Sequence, residues 1–254
     1  MEMKNKTGVL LINLGTPDSP SVSNVRSYLS QFLNDPRVID IPWLLRKILV
    51  NLIIVPFRAP KSAMLYQKLW TAKGSPLLFY SNRVKDLLQQ ELGTSYEVHL
   101  AMRYKNPAIP DVLDAMRKRN FGRIIVLPLF PQYASASTGS ALEEVMRILS
   151  KWWVIPDVSL ISQYYDHPAF IRSITEIGKK YPHEQFDHVL FLYHGLPERQ
   201  VDKVYDEGLC AEHNCENEIT EQNKFCYKAT CYATTRMLAS ALGIPPEKYK
   251  FCFQ

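Results

Sequence analysis

The sequence predicts an α/β fold with parallel sheets covered by helices on both faces. Three observations carry that reading. Short apolar runs alternate with longer amphipathic stretches along the whole chain, as repeated strand–helix units require. Several runs are nearly continuous instead of alternating in polarity, which suits strands buried on both faces; Arg123-Ile124-Ile125-Val126-Leu127-Pro128-Leu129 and Val189-Leu190-Phe191-Leu192-Tyr193 are the clearest. Finally, a polar connection, Tyr181-Pro182-His183-Glu184-Gln185, precedes a fresh apolar strand, so the chain divides into residues 1–182 and 183–254.

In order, Gly8 to Asn13 is a strand broken by the loop Leu14-Gly15-Thr16-Pro17. A helix covers Val22 to Leu33, and two more are expected over Trp43 to Val55 and Lys61 to Trp70. Gly74-Ser75-Pro76-Leu77 restarts the chain into a helix reaching Leu92, because proline suits a first helical turn. Tyr96 to Met102 reads as a strand ending in Arg103-Tyr104, followed by a helix over Ile109 to Arg119 and the strand at Arg123. A hydroxyl-rich loop, Phe130 to Ser140, leads to a helix over Ala141 to Trp152, a strand over Val158 to Ser162 and a helix over Pro168 to Lys180. The second part supplies a strand ending at His194, a helix over Tyr227 to Leu242 and a strand over Tyr249 to Phe253. So few elements do not close a layered core, so the second domain is expected to be incomplete in this chain.

Hydrophobic content of 46% and charge of 22% are ordinary for a globular protein, and a net charge of +5 without a polybasic run makes nucleic acid a poor first partner. No unbroken apolar run reaches the ~20 residues that span a bilayer. The nearest, Ile41 to Arg58, is interrupted by Arg46, Lys47 and Asn51, which leaves a buried helix, a helix lying on a membrane, or one lip of an apolar pocket. No signal peptide opens the chain, so the expected compartment is the cytoplasm.

Three groups of residues point to chemistry. His194 follows a strand and precedes Gly195-Leu196-Pro197, at the strand edge where α/β sheets gather ligands. An imidazole there can accept a proton, ligate a metal or merely cap backbone groups. The hydroxyls from Tyr133 to Ser140 can hold an anion at a helix start or simply cap the helix. Cys210, Cys215, Cys226 and Cys231 form C-x4-C-x10-C-x4-C, with Cys252 left over. Four thiols so close argue for a [2Fe-2S] cluster, a zinc ion or reduced unligated thiols. Cys226 and Cys231 would point about 140° apart on one helix, so at least one must precede it. Lys224, Lys228 and Arg236 would offset cluster charge, and His213 is a substitute ligand.

Leu11-Ile12-Asn13-Leu14-Gly15-Thr16-Pro17, Gly74-Ser75-Pro76-Leu77, Met102-Arg103-Tyr104, Pro131-Gln132-Tyr133-Ala134-Ser135-Ala136-Ser137-Thr138-Gly139-Ser140 and Tyr193-His194-Gly195-Leu196-Pro197-Glu198-Arg199 together resemble the ferrochelatase family, in its order and along the whole chain. The resemblance implies two Rossmann-like domains flanking a porphyrin cleft, and insertion of Fe2+ into protoporphyrin IX as the last step of haem synthesis. It implies that His194 takes pyrrole protons or ligates incoming iron, and that Asn13, Leu14, Arg103, Tyr104, Tyr133 and Ser137 line the macrocycle. Some microbial members hold a [2Fe-2S] cluster, which the cysteines of an insertion at about 208–232 would ligate. No acidic motif matching the family's opposing carboxylate follows His194, so turnover by these 254 residues alone is not expected. Peripheral contact with the inner membrane face fits the apolar segment. The rival readings are a catalytically silent porphyrin- or haem-binding sensor of iron or redox state, and a chelatase loading cobalt or nickel.

Overall fold

A computed structural model describes residues 6–254, which divide into two compact units. The first runs to Leu129 and takes in Ser135–Ser162; the second comprises Phe130–Ala134 and Gln163–Gln254. The division thus falls at 162/163 and not at 182/183. Phe130–Ala134 goes with the second unit because the Pro131 carbonyl accepts from the Tyr164 N–H at 2.9 Å and the Gln132 amide donates to Thr234 at 3.0 Å.

In the first unit, β1 (Thr7–Gly15) leads to α1 (Val22–Leu33), whose N-cap Ser21 accepts from the Asn24 N–H. There follow α2 (Trp43–Ile48), a π-helical turn (Leu49–Ile54), α3 (Val55–Leu69), α4 (Pro76–Leu92) and β2 (Tyr96–Tyr104). The unit closes with α5 (Ile109–Lys118), β3 (Arg123–Pro128), a second π-helical turn (Ser135–Gly139), α6 (Ser140–Leu149) and β4 (Asp157–Leu160). The sheet runs β2-β1-β3-β4, with every pair parallel. Alternate residues of β1 serve opposite faces, as strand geometry dictates. Leu10 and Ile12 join Leu113, Met116, Val145 and Leu149 of α5 and α6, whereas Val9 and Leu11 join β2 residues beneath Leu78, Leu88 and Leu92 of α4.

The segment from Trp43 to Leu69 departs from expectation. It is one 27-residue helix, long and apolar enough by length and composition to cross a bilayer, where two separate helices and no such span were expected. Pro60 lies inside it. Nor is it a core helix. Val50, Val55, Ala59 and Ala63 face Val25, Tyr28 and Leu29 of α1, but Trp43, Leu44, Leu45, Leu52, Ile53, Phe57, Met64, Leu65 and Leu69 are each more than half exposed.

The second unit contains α7 (Pro168–Gly178), β5 (Val189–Tyr193), α8 (Glu198–Asp202), α9 (Tyr227–Leu242) and β6 (Tyr249–Phe253). β5 and β6 pair in parallel, and α7 packs on α9, with Leu242 against Gly178. Tyr232 of α9 meets Phe251 of β6 edge-on at 4.2 Å. β5 was expected to be buried on both faces. Instead Leu190 and Leu192 are more than half exposed, because the ring contacts of this small sheet lie on the Phe191 and Tyr193 face.

Gly15 ends β1 at φ +116°, opposite Tyr104 in the register, and a Cβ there would lie 2.0 Å from the Tyr104 carbonyl oxygen. Only glycine fits both demands. Gly15→Ala should therefore lower unfolding stability by at least about 2 kcal/mol in urea titration; an unchanged midpoint would show that β1 and β2 do not approach so closely.

Candidate active site

The first unit collects its candidate residues where β1 and β2 end. Asn13 sits at the close of β1, half-buried, with its Oδ1 accepting from the Leu14 N–H at 2.8 Å and its Nδ2 donating to Ser81 of α4 at 3.1 Å. At the N-cap of α4, Ser75 donates to Thr16 at 2.9 Å. Two motifs far apart in sequence, Asn-Leu-Gly-Thr and Gly-Ser-Pro-Leu, thus fasten one loop. Ser137 lies in the π-helical turn before α6, half-buried, with Thr138 fully buried beside it.

Arg103 and Tyr104 end β2 and share one buried acid, Asp35, which follows α1. Its Oδ2 accepts from Arg103 Nη2 at 2.7 Å, the Tyr104 hydroxyl at 2.9 Å and Ser140 Oγ at 2.6 Å. Its Oδ1 accepts from the Arg37 N–H at 2.8 Å. Arg103 Nε in turn donates to Ser140 Oγ at 2.6 Å and to the Ser140 carbonyl at 3.1 Å. Burial, then the Asp35 charge, pushes the Tyr104 phenol well above its usual range, so it stays a donor. The Tyr104 ring is 0% exposed, edge-on to Phe32 at 5.2 Å. A ring so enclosed offers no face to a flat ligand, which differs from the expectation that Tyr104 lines the macrocycle. Arg103, half-buried, borders a groove of about 600 Å³ shared with Lys47, Asn34 and Asp35.

In the second unit His194 follows the last residue of β5 and is exposed, not packed in an apolar interior. Its turn is held by the main chain: the Gly195 N–H donates to the Gln254 carbonyl at 2.6 Å, and a Cβ on Gly195 would lie 2.8 Å from that oxygen. The His194 N–H bonds the Tyr227 hydroxyl at the start of α9. Next to it the Tyr193 hydroxyl pairs with Thr235 at 2.8 Å, and burial pushes that phenol up to about 12. These contacts leave the imidazole itself uncommitted among the described residues. Tyr133 is half-buried, edge-on to Phe225 at 6.0 Å. Beyond the turn, Leu196, Glu198, Cys210, Tyr227, Lys228 and Phe253 border a cavity of about 400 Å³.

All four clustered cysteines are buried, and Cys210, Cys215 and Cys226 share an apolar cluster with Val201, Tyr205 and Tyr232. Cys226 is the N-cap of α9 and Cys231 lies within it, as the angular argument required. Burial pushes Cys210 and Cys231 up to about 12, and the neighbouring Cys226 adds to both. Lys228 acts in the opposite direction on Cys210 and Cys215. His213 is not placed as a substitute ligand: its ring stacks on Tyr205 at 3.9 Å and its Nε2 meets the Glu207 carbonyl at 3.0 Å. Cys252 stands apart on β6, opposite Leu192. Among the described residues, no three His, Cys, Asp or Glu side chains gather as they would around one metal ion.

Asp35, Ser140 and Tyr227 were not foreseen. Ser140 ended the hydroxyl-rich motif and Tyr227 was read only as a helix start; Asp35, a single acid before a proline, carries no pattern that sequence alone can raise above a turn.

The family model for ferrochelatase matches residues 6–254. The ferrochelatase of Coxiella burnetii (strain Dugway 5J108-111) is 44% identical over 252 residues, covering 98% of this chain and 70% of that one. The ferrochelatase of Legionella pneumophila (strain Paris) is 43% identical over 249 residues, covering 98% of this chain and 74% of that one. With the parallel α/β architecture already described, these matches establish that the chain belongs to the ferrochelatase family, metal-chelating lyases of haem synthesis whose substrate is ferrous iron.

Proposed function

We propose that this protein inserts Fe2+ into protoporphyrin IX, with His194 as the base that accepts the pyrrole protons. The observation that carries the reading is an exposed imidazole at the carboxyl end of β5, on a turn fixed by Gly195 and Tyr227 through the main chain, so the ring stays free for chemistry. Two pyrrole N–H protons leave as the dication enters, so charge balances only if a base takes them up. Binding energy from the rest of the macrocycle can bend the ring and expose its nitrogens. Asn13, Leu14, Arg103, Tyr133 and Ser137 are the proposed porphyrin contacts, while Tyr104 acts from inside the core through Asp35. His194→Ala in the complete gene product should lower kcat for metal insertion at least about 100-fold, measured from porphyrin absorbance with Fe2+ or Zn2+; turnover near wild type would refute the role.

Cys210, Cys215, Cys226 and Cys231 are proposed to hold a [2Fe-2S] cluster. The residues fit such a group: four buried thiols, three of them in one apolar cluster, with burial opposing ionisation unless a cation compensates. The four thiols lie in the 210–231 segment, where Cys210, Cys215 and Cys226 share one apolar cluster, and that burial and proximity support the reading. When bound, the cluster supplies cross-linking of the 210–231 segment and one-electron redox chemistry. Anaerobically purified protein should carry iron and inorganic sulfide in equal amounts with visible absorbance; one zinc per chain and no sulfide would contradict this.

The helix Trp43–Leu69 is proposed to lie on an anionic membrane surface. It has five Lys and Arg and no Asp or Glu, and its exposed residues are largely apolar. Its opposite face is locked to α1, and Arg46 bonds the Ile39 and Ile41 carbonyls at 3.2 and 2.8 Å, which favours resting on a bilayer over crossing it. Leu52→Glu with Phe57→Glu should weaken co-sedimentation with phosphatidylglycerol vesicles about 10-fold or more; equal sedimentation would exclude this surface.

A further inference from the structure

The geometry points to Asp35 as a positioning residue that fixes the Arg103 guanidinium for a porphyrin carboxylate, an inference resting on the assignment of Arg103 as a porphyrin contact. Arg103 is held on two edges only. Nη2 is tied to Asp35 at 2.7 Å and Nε to Ser140 at 2.6 Å, while Ser140 itself donates to Asp35 at 2.6 Å, closing a ring of three groups. Nη1 has no protein partner among the described residues, and the side chain borders the groove of about 600 Å³ that Lys47 also lines. A guanidinium presents its donors in a planar fork, so pinning two edges sets the direction of the third. A free arginine samples many rotamers that a ligand would otherwise have to quench; here the protein has quenched them in advance.

A merely structural ion pair predicts something different. Asp35 is buried, its Oδ2 serves three donors and its Oδ1 the Arg37 N–H, and an ionised carboxylate has no donor to offer a porphyrin carboxylate. Whatever it contributes to porphyrin binding must therefore pass through a donor it holds, and of Arg37, Tyr104, Ser140 and Arg103 only Arg103 combines a full charge, partial exposure and an uncommitted edge.

The test is a double-mutant cycle in the complete gene product with Asp35→Asn, Arg103→Gln and both together. Porphyrin affinity is read by fluorescence quenching, fold by thermal unfolding, and the kinetic effect by porphyrin KM against kcat. Asp35→Asn should weaken porphyrin binding about 10-fold, the loss falling on KM more than on kcat, and should add less than about 2-fold once Arg103 is Gln. Should Asp35→Asn not fold, Ser140→Ala removes the hydroxyl that links Arg103 Nε to Asp35, leaving the Ser140 carbonyl on Nε, and should weaken binding about 3-fold, again only with Arg103 present. Equal factors in both Arg103 backgrounds, or unchanged affinity with a lowered melting temperature, would overturn the inference. Because the titration needs no metal, a protein that binds porphyrin but inserts no iron would sink the proposed reaction and leave this coupling standing.

Discussion

Parallel pairing of β1 with both of its neighbours is the constraint on which the first unit depends. Parallel strands put every carboxyl end at one edge, so the loops after β1, β2 and β3 leave from the same side of the sheet. Asn13, Gly15 and Thr16 leave β1 there, Arg103 and Tyr104 leave β2, and the hydroxyl-rich segment follows β3. Backbone proximity at Gly15, where the Tyr104 carbonyl excludes any side chain, draws the first two loops together. Chemistry-bearing residues separated by about ninety positions thereby become neighbours without any of them having to nucleate the fold.

Within that edge, electrostatics decide which side chains are scaffolding and which are free to act. Asp35 is a buried charge, tolerable because a cation and two hydroxyls surround one of its oxygens. That saturation commits Tyr104 and Ser140 to the interior and leaves one edge of Arg103 outward. His194 follows the same logic with different means: main-chain bonds and the Tyr227 hydroxyl hold its turn, so its imidazole is not spent on holding itself in place.

Much of this was legible in the residues. The strand–helix alternation, α1 over Val22–Leu33, α9 over Tyr227–Leu242 and β6 over Tyr249–Phe253 follow from periodicity and their Ser, Pro and Gly punctuation. Two things were not. Periodicity cannot see how an apolar helix is covered, and the sequence of Trp43–Leu69 suits a core as well as a surface; only its α1-facing stripe is buried. Likewise a run such as Val189–Tyr193 reads as buried on both faces, although the two-stranded sheet it enters leaves Leu190 and Leu192 open. Of the site, His194 and the cysteines stood out by motif and spacing, whereas Asp35 could be recognised only when three donors converged on it.

Locating the bound macrocycle tests the account most directly. A structure of the porphyrin complex should place a pyrrole nitrogen face toward His194, with an imidazole nitrogen within about 4 Å of the ring centre or one water away. A macrocycle seated elsewhere, with His194 facing only solvent, would contradict the assignment of the proton acceptor.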